Sequence, residues 1–74
     1  MTIYIVKTFR GYFVTASSEE AELKANELFN ELKCECKENR VKGENVWCRI
    51  DEYHAHYYFG APFEFQGSKW INAV

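Results

Sequence analysis

Apolar and polar residues alternate with a period of two at the start of this chain. Residues 2–8 follow that alternation and are rich in β-branched and aromatic side chains, which predicts a β-strand. Residues 12–15 resume the pattern after a short connection at 9–11 that includes Gly11. Because glycine reaches positive φ at little cost, this connection is expected to be a loop of three or four residues that joins the two strands into a hairpin.

The period changes to that of an α-helix from Ser17 onward. The apolar residues that recur three or four positions apart, and would therefore share one face, are Ala21, Ala25, Leu28, Phe29, Leu32 and Cys36. Ser17 is a suitable N-cap, and the side chain of Glu20 is expected to reach back to the Ser17 backbone and complete a capping box. We expect the helix to end near residues 38–39 and to bury this face, including Leu28 and Phe29, against a sheet.

The period of two returns after a polar loop at residues 39–45. From Val46 onward one strand face collects apolar side chains, whereas Trp47, Arg49 and Asp51 point to the opposite face. The pattern leaves open whether residues 51–52 form a turn or the middle of one longer, bent strand.

A further strand is predicted over residues 53–59, and its two faces differ in character. The face expected to pack under the helix carries Tyr53, Ala55, Tyr57 and Phe59. The other face, which is polar enough to stay in contact with water, carries His54, His56 and Tyr58. Trp47 and Arg49 are expected to join this second face if the strands pair.

The C-terminal residues predict less regular structure. Phe63 and Phe65 alternate in a short strand, which Gly67 is expected to end before a tail at residues 69–74. The elements together predict one α+β domain spanning residues 1–74, in the order β-β-α-β-β, with or without a further short C-terminal strand. In this architecture the single helix packs on one face of a small antiparallel sheet.

The chain is rich in aromatic residues for its size, with two Trp, five Tyr and six Phe among 74 residues. A domain this small has too little interior to bury them all, so some must cover a surface, and surfaces rich in Trp and Tyr are usually contact surfaces. One helix can shield only one side of the sheet. We therefore predict a partner-binding patch on the uncovered side, formed by Trp47, Arg49, His54, His56 and Tyr58. The alternative is that these side chains are scattered singly over the surface.

Composition and charge restrict the class of partner. The net charge is −2 and the nine Lys and Arg residues form no cluster, which argues against binding to double-stranded nucleic acid. No apolar stretch approaches the ~20 residues that cross a bilayer, so a membrane partner is not expected. Three cysteines, an odd number, and the absence of a signal peptide predict a cytoplasmic protein with reduced thiols.

His54 and His56 are the strongest candidates for metal chemistry. They lie two residues apart on one strand face and could reach one metal ion, with Asp51, Glu52 or Cys48 as a third ligand. The motif lacks a second recognisable ligand pair, however. We therefore predict neither a metal site nor another cofactor.

Cys34 and Cys36 fall near the end of the predicted helix. Side chains two residues apart on a helix point about 200° apart, so these thiols cannot share one metal ion. Cys36 continues the apolar stripe and is expected in the core, whereas Cys34 is expected to be exposed or partly exposed. No base at a recognisable spacing accompanies any cysteine, and no other catalytic signature is present, so an enzyme is not predicted.

These observations favour a non-enzymatic protein-binding module that contacts another protein or, as a homodimer, a second copy of itself. The alternative is a small-molecule or nucleotide-binding protein, in which stacked aromatic rings, Arg49 and two histidines hold a base and a phosphate. A platform for single-stranded nucleic acid is a third interpretation, although the net charge argues against it.

Residues 14–21, Val-Thr-Ala-Ser-Ser-Glu-Glu-Ala, lead from a strand into a Ser-capped acidic helix. This passage resembles the strand-to-helix junction of small phage and plasmid proteins that begin β-β-α. The likeness covers only about the first thirty residues of the chain. It implies an accessory protein of a mobile element, a class that includes compact inhibitors which occlude a surface of a host protein or sequester a small signal.

Overall fold

The computed structural model describes residues 1–55 and 63–71. Within them the elements, in chain order, are β1 (Thr2–Thr8), β2 (Gly11–Thr15), α1 (Ser18–Lys37), β3 (Cys48–His54) and β4 (Glu64–Ile71). The strands form one antiparallel sheet in the order β2-β1-β3-β4, and α1 packs on one side of it. The predicted α+β fold with the order β-β-α-β-β is therefore confirmed. Residues 56–59 of the predicted strand and residues 72–74 of the predicted tail lie outside the described residues.

The predicted N-terminal hairpin is also confirmed, but its loop has two residues, 9–10, instead of three or four, because Gly11 already pairs with Thr8 as the first residue of β2. The backbone N–H of Arg10 donates a 3.2 Å hydrogen bond to Oγ1 of Thr8 in the turn. Gly11 opens β2 with a φ of +148°, a backbone conformation that a residue with a Cβ adopts only under strain. The hairpin places β1 inside the sheet, between β2 and β3.

The predicted N-cap of α1 is confirmed, but the predicted capping box is only half formed. The Ser17 hydroxyl accepts a 3.2 Å hydrogen bond from the backbone N–H of Glu20. The backbone N–H of Ser17 donates to Oγ1 of Thr15 at 3.1 Å, so Thr15 takes the role predicted for the Glu20 side chain. Because Thr15 ends β2, this bond ties the end of the strand to the start of the helix.

The helix ends at Lys37 with Glu38 as its C-cap, where the end was predicted. Asn39 follows with a φ of +61°, the left-handed conformation that Asn adopts more readily than most residues other than glycine. The N–H of Arg40 then donates to the carbonyl of Glu35 at 2.9 Å. This bond satisfies a carbonyl that the last helical turn would otherwise leave without a partner.

The core between α1 and the sheet is small. Its clustered buried residues are Val6, Ala21, Ala25, Phe29, Cys48 and Ile50. Leu28 is only half-buried at the margin of this cluster, so the expectation that it is buried like Phe29 is wrong. Ala21 and Ala25 contribute little apolar area, and the burial that stabilises the helix–sheet contact therefore depends on few large side chains.

The strand β3 is continuous through Asp51 and Glu52, which answers the question that the sequence pattern left open. It begins at Cys48 instead of Val46. The reason is a short 3₁₀ turn at Gly43–Asn45, after which the N–H of Val46 donates to the carbonyl of Gly43 at 3.1 Å.

Gly67 lies inside β4 and does not end the strand, contrary to the prediction. The pairing with β3 passes from Glu52 opposite Gly67 to Tyr53 opposite Phe65, so that Gln66 is an extra residue in β4. Such a bulge needs an unusual backbone angle, which Gly67 provides with a φ of +137°. The strand therefore continues across the position where a tail was expected.

Candidate functional site

One side of the sheet is not covered by α1. The even-numbered residues Val6, Cys48 and Ile50 belong to the core under the helix, so the odd-numbered positions of β1 and β3 point to the other side. Those positions are Ile3, Ile5, Lys7, Arg49, Asp51 and Tyr53. Their cross-strand neighbours on β2 and β4, which share their side, are Tyr12, Val14, Phe65, Ser68 and Trp70. We call these residues, together with the adjoining Trp47, the open face.

Much of the open face is apolar and exposed to solvent. Tyr12 and Val14 on β2 are 75% and 51% exposed, and Phe65 and Trp70 on β4 are 55% and 52% exposed. Because β2 and β4 are the two edge strands, these side chains extend the apolar surface across the width of the sheet. Large exposed apolar patches of this kind mark interaction sites.

Two aromatic pairs form on the β3–β4 half of the open face. The ring centroids of Trp47 and Trp70 are 6.1 Å apart, and those of Tyr53 and Phe65 are 5.4 Å apart. Both pairs are tilted, at 60° and 57°, within the range that the quadrupoles of aromatic rings favour. The two pairs therefore hold four large rings on one side of the sheet.

Arg49 lies beside both tryptophans. Its Cζ atom is 5.9 Å from the ring centroid of Trp47 and 5.6 Å from that of Trp70, close enough for two cation–π contacts. Its Nε atom lies 3.1 Å from Oδ1 of Asp51 and donates to Oδ2 at 3.3 Å. The guanidinium group is thus held by the rings and by a carboxylate on its own strand.

Asp51 is the buried acidic residue of the open face, with only 2% of its surface exposed. Lys7 Nζ lies 3.3 Å from its Oδ2 atom, and the Ser68 hydroxyl donates to its Oδ1 atom at 2.5 Å. Burial by itself would raise the pKa of this carboxyl. The hydrogen bond from Ser68 and the charges of Lys7 and Arg49 outweigh burial and lower the pKa below its ordinary value, so Asp51 is ionised at neutral pH.

Charge is unevenly divided between the two sides of the domain. Within the described strands, Asp51 is the one acidic residue at an open-face position, where it faces the cations Lys7 and Arg49. The exposed outer surface of α1 carries a series of carboxylates: Glu19, Glu20, Glu22, Glu27 and Glu31. The open face is therefore cationic in a chain whose net charge is −2.

The structure brings together two residues of the predicted partner-binding patch and separates a third from them. Trp47 and Arg49 contact each other, as expected for neighbours on one surface. His54 lies at an even-numbered position of β3, on the side that α1 packs against, so its expected place beside Arg49 is wrong. The remaining two residues of that patch, His56 and Tyr58, lie outside the described residues.

The faces were assigned incorrectly because β3 has no break. Alternation along a continuous strand links Tyr53 to Arg49 and Asp51, and links His54 to Ile50. Tyr53 therefore packs against Phe65 on the open face, and the prediction that it lies under the helix is wrong.

Sequence reasoning did not find several residues of this site. The pattern predicts a tail at Trp70 and gives no link from Lys7 or Ser68 to Arg49, although it does place Asp51 on the same strand face as Arg49. The register of β3 against β1 and β4 brings them together, with Lys7 and Trp70 both opposite Arg49. One signal in the sequence could have pointed to Lys7 as a site residue. Alternation along its strand places this cation on the same face as the apolar residues Ile3 and Ile5.

The cysteines form no disulfide. Cys34 is exposed, as predicted, whereas Cys36 is only partly buried. Burial raises the pKa of Cys48 to about 11, so this thiol is protonated at neutral pH and lacks the thiolate that nucleophilic chemistry requires. Within residues 1–55 and 63–71, no three His, Cys, Asp or Glu side chains lie close enough to hold a metal ion.

A cleft lies on the helix side of the sheet. This cleft of about 380 Å³ opens between the start of α1 and the β3–β4 pair, and Glu22, Glu52 and Lys69 lie along it. Lys69 Nζ and Glu22 Oε1 are 2.5 Å apart, so an ion pair joins β4 to the helix here. The cleft is open, and its lining mixes these charged groups with Tyr4 and Ile50.

In three comparisons, no protein-family model, no curated protein and no solved structure matches this chain. In the part of the chain that the structure describes, no helix has both the length and the apolar character needed to cross a bilayer.

Proposed function

We propose that this chain is a non-enzymatic protein-binding module and that the open face is its contact surface. The observation that carries the proposal is the set of large apolar side chains left exposed where the helix does not cover the sheet. Tyr12, Phe65 and Trp70 are each more than half exposed. A domain with so small a core gains nothing for its own stability from apolar groups that remain in water.

The composition of the open face supports a protein partner. Trp, Tyr and Arg are the residues most enriched at the energetically dominant positions of protein interfaces, and Arg49 is surrounded by Trp47 and Trp70. The partner is another protein or a second copy of the chain. If the module covers a functional surface of its partner, it acts as an inhibitor by occlusion. The resemblance of about its first thirty residues to accessory proteins of mobile elements implies such a role.

The nucleotide-pocket alternative receives less support from the geometry. That interpretation required Arg49 and His54 on one surface, and they occupy opposite sides of β3. The cleft on the helix side is lined by two carboxylates, Glu22 and Glu52, and by one cation, Lys69, which is already paired with Glu22, so it offers a phosphate no excess of positive charge.

Substitutions on opposite sides of the domain test the proposal. Trp70→Thr and Tyr12→Thr remove exposed rings from the open face while keeping a residue that favours strands. Leu23→Gln is the matched control, because Leu23 is 73% exposed on α1 and Gln is a good helix former. Partners captured from cell lysate are quantified by mass spectrometry, and analytical ultracentrifugation of the purified chain measures self-association.

We expect both open-face variants to lose a stoichiometric partner or the dimer, with melting temperatures close to that of the parent chain, while Leu23→Gln retains the association. The proposal is wrong if all three variants keep the same partners and the same oligomeric state as the parent chain. It is equally wrong if the open-face variants unfold, because the rings would then belong to the core.

A further inference from the structure

We propose that Arg49 is a preorganised carboxylate-binding group, and that the partner presents an Asp or Glu side chain to it within an apolar surround. This inference rests on the proposed function, since it specifies the chemistry of the protein that docks on the open face. It assigns Asp51 as the positioning residue and the two tryptophans as the walls of the site.

The hydrogen bonds of Arg49 leave its outer donors available. The guanidinium group has five N–H donors, of which the one on Nε is directed to Asp51. Within residues 1–55 and 63–71, no hydrogen bond engages the Nη atoms of Arg49, and the side chain is 32% exposed. The Nη atoms can therefore donate hydrogen bonds to both oxygens of a planar ligand such as a carboxylate, in the bidentate geometry that arginine favours.

The position of the guanidinium group is fixed before any partner arrives. Trp47 and Trp70 contact it, and the Asp51 carboxylate, itself held by Ser68 and Lys7, engages its Nε atom. An arginine that is already ordered loses less side-chain entropy when it binds. The surrounding rings also displace water, which strengthens a charge-assisted hydrogen bond to an incoming carboxylate.

The charges on the open face select a single anion. Lys7 and Arg49 are direct cross-strand neighbours, and Asp51 already offsets part of their charge. A protein that binds a nucleic-acid strand needs a track of cations along the phosphates, and the cluster of Lys7, Arg49 and Asp51 does not supply one. Around the cluster lie the exposed apolar residues Tyr12, Val14 and Phe65, which suit a protein surface with one acidic residue.

The experiment uses a random peptide library displayed on its own mRNA and selected against the full chain. Arg49→Gln is selected in parallel, as is Lys69→Gln, which removes a cation from the same pair of strands on the helix side of the sheet. We expect the parent chain and Lys69→Gln to enrich peptides with an Asp or Glu flanked by apolar residues. Arg49→Gln should lose that preference.

Affinities of the most enriched acidic peptide then test the geometry. We expect the affinity to fall about tenfold or more in Arg49→Gln, and also when the peptide's acid is replaced by its amide. Arg49→Lys should recover little of that affinity, because lysine cannot form the bidentate fork. Asp51→Asn makes the open face more positive but releases the guanidinium group. Weaker binding to this variant supports positioning by Asp51, whereas tighter binding overturns it and shows that net charge alone attracts the peptide.

Other outcomes separate this inference from the proposed function. Enriched peptides that lack an acid but still depend on Trp70 overturn the carboxylate site and leave the docking surface in place. If no peptide is enriched, or if an oligothymidylate strand binds more tightly than every acidic peptide, the carboxylate site is wrong. Peptides that bind independently of both Arg49 and Trp70 contradict the inference and the open face together.

Discussion

The hydroxyl of Ser68 donates a 2.5 Å hydrogen bond to Oδ1 of Asp51, across the pair of strands β3 and β4. This contact helps to keep a carboxylate ionised at a position where only 2% of the residue is exposed. The same carboxylate lies beside Lys7 and Arg49, so one buried charge organises the polar centre of the open face. The stability of the domain should therefore respond to the ionisation of Asp51.

Asp51→Asn is expected to lower the free energy of unfolding at neutral pH by about 1–2 kcal/mol, because Lys7 and Arg49 lose their anionic partner but are exposed enough for water to screen them. The pKa of Asp51 is lower in the folded protein than in the unfolded chain, where it is about 4. The ionised carboxylate therefore stabilises the fold fully above the unfolded-state pKa, and this contribution is lost as pH falls through the folded-state pKa. Urea titrations at neutral and acidic pH should therefore show a smaller acid-induced loss in Asp51→Asn than in the parent chain.

Ser68→Ala is the companion variant for this measurement, since it removes one of the groups that stabilise the ionised form. An acid dependence between those of the parent chain and Asp51→Asn is expected. Equal acid dependence in all three proteins would show that Asp51 does not couple folding to pH.

Phe29→Ala should destabilise the domain by about 3–5 kcal/mol, because Phe29 is only 6% exposed and the core has few large side chains. Leu28→Ala should cost less, under about 2 kcal/mol, because Leu28 lies at the margin of the core. Chemical denaturation measures both values, and Leu23→Ala on the exposed side of α1 should stay within about 0.5 kcal/mol of the parent chain. Similar losses for Leu28 and Phe29 would contradict the orientation of the helix.

The start of α1 depends on two hydroxyl groups. Ser17→Ala removes the acceptor for the Glu20 N–H and should cost about 1 kcal/mol. Thr15→Val keeps the shape of the side chain but removes the acceptor for the Ser17 N–H, with an expected loss of about 0.5–1.5 kcal/mol. Thermal unfolding should show a smaller effect for Glu20→Ala than for Thr15→Val, and the reverse order would restore the capping box predicted from the sequence.

Gly67→Ala should destabilise the domain by more than about 1 kcal/mol, because its φ of +137° is unfavourable for a residue with a Cβ. No atom lies within 4 Å of the added carbon, so the cost comes from the backbone and not from a collision. Gly43→Ala is the control, because Gly43 is not at a positive φ and its added carbon would meet only the Cys36 sulfur at 4.0 Å. Equal melting temperatures for the two variants would argue against the bulge in β4.

Thiol labelling should separate the cysteines by exposure. Cys34 is expected to react with a maleimide first, whereas Cys48 is buried, has a pKa raised to about 11, and should react only when the domain unfolds. Mass spectrometry of the folded protein at neutral pH, with and without urea, identifies the modified residues. Rapid labelling of Cys48 in the folded protein would mean that β3 is not part of the core.

The elements predicted correctly are those whose signals lie within a few residues of one another. The Ser17 cap, the helix end near residue 38 and the turn that ends at Gly11 all depend on local backbone chemistry. The β3–β4 pair was predicted less well because Gly67 can end a strand or form a bulge inside one. Only the partner strand distinguishes these two outcomes.

The composition of the candidate site could be predicted in part, but its assembly could not. The aromatic content indicated a contact surface, and the alternation from Val46 onward placed Trp47 and Arg49 on one side. The opposite assignment of Tyr53 and His54 followed from treating residues 51–52 as a place where the strand could reset its faces. In a pleated strand a shift of one residue exchanges the two sides, so this single uncertainty placed Tyr53 and His54 on the wrong sides.

The sequence by itself determined the order β-β-α-β-β, the helix with its cap, and the imbalance between one amphipathic helix and many aromatic residues, because periodicity and capping act over short distances along the chain. The tertiary structure alone decided that Lys7, Ser68 and Trp70 meet at Arg49 and Asp51. These residues come from three strands, and their meeting depends on strand register. Register is set by the packing of the whole sheet and leaves no local mark on the residues that it brings together.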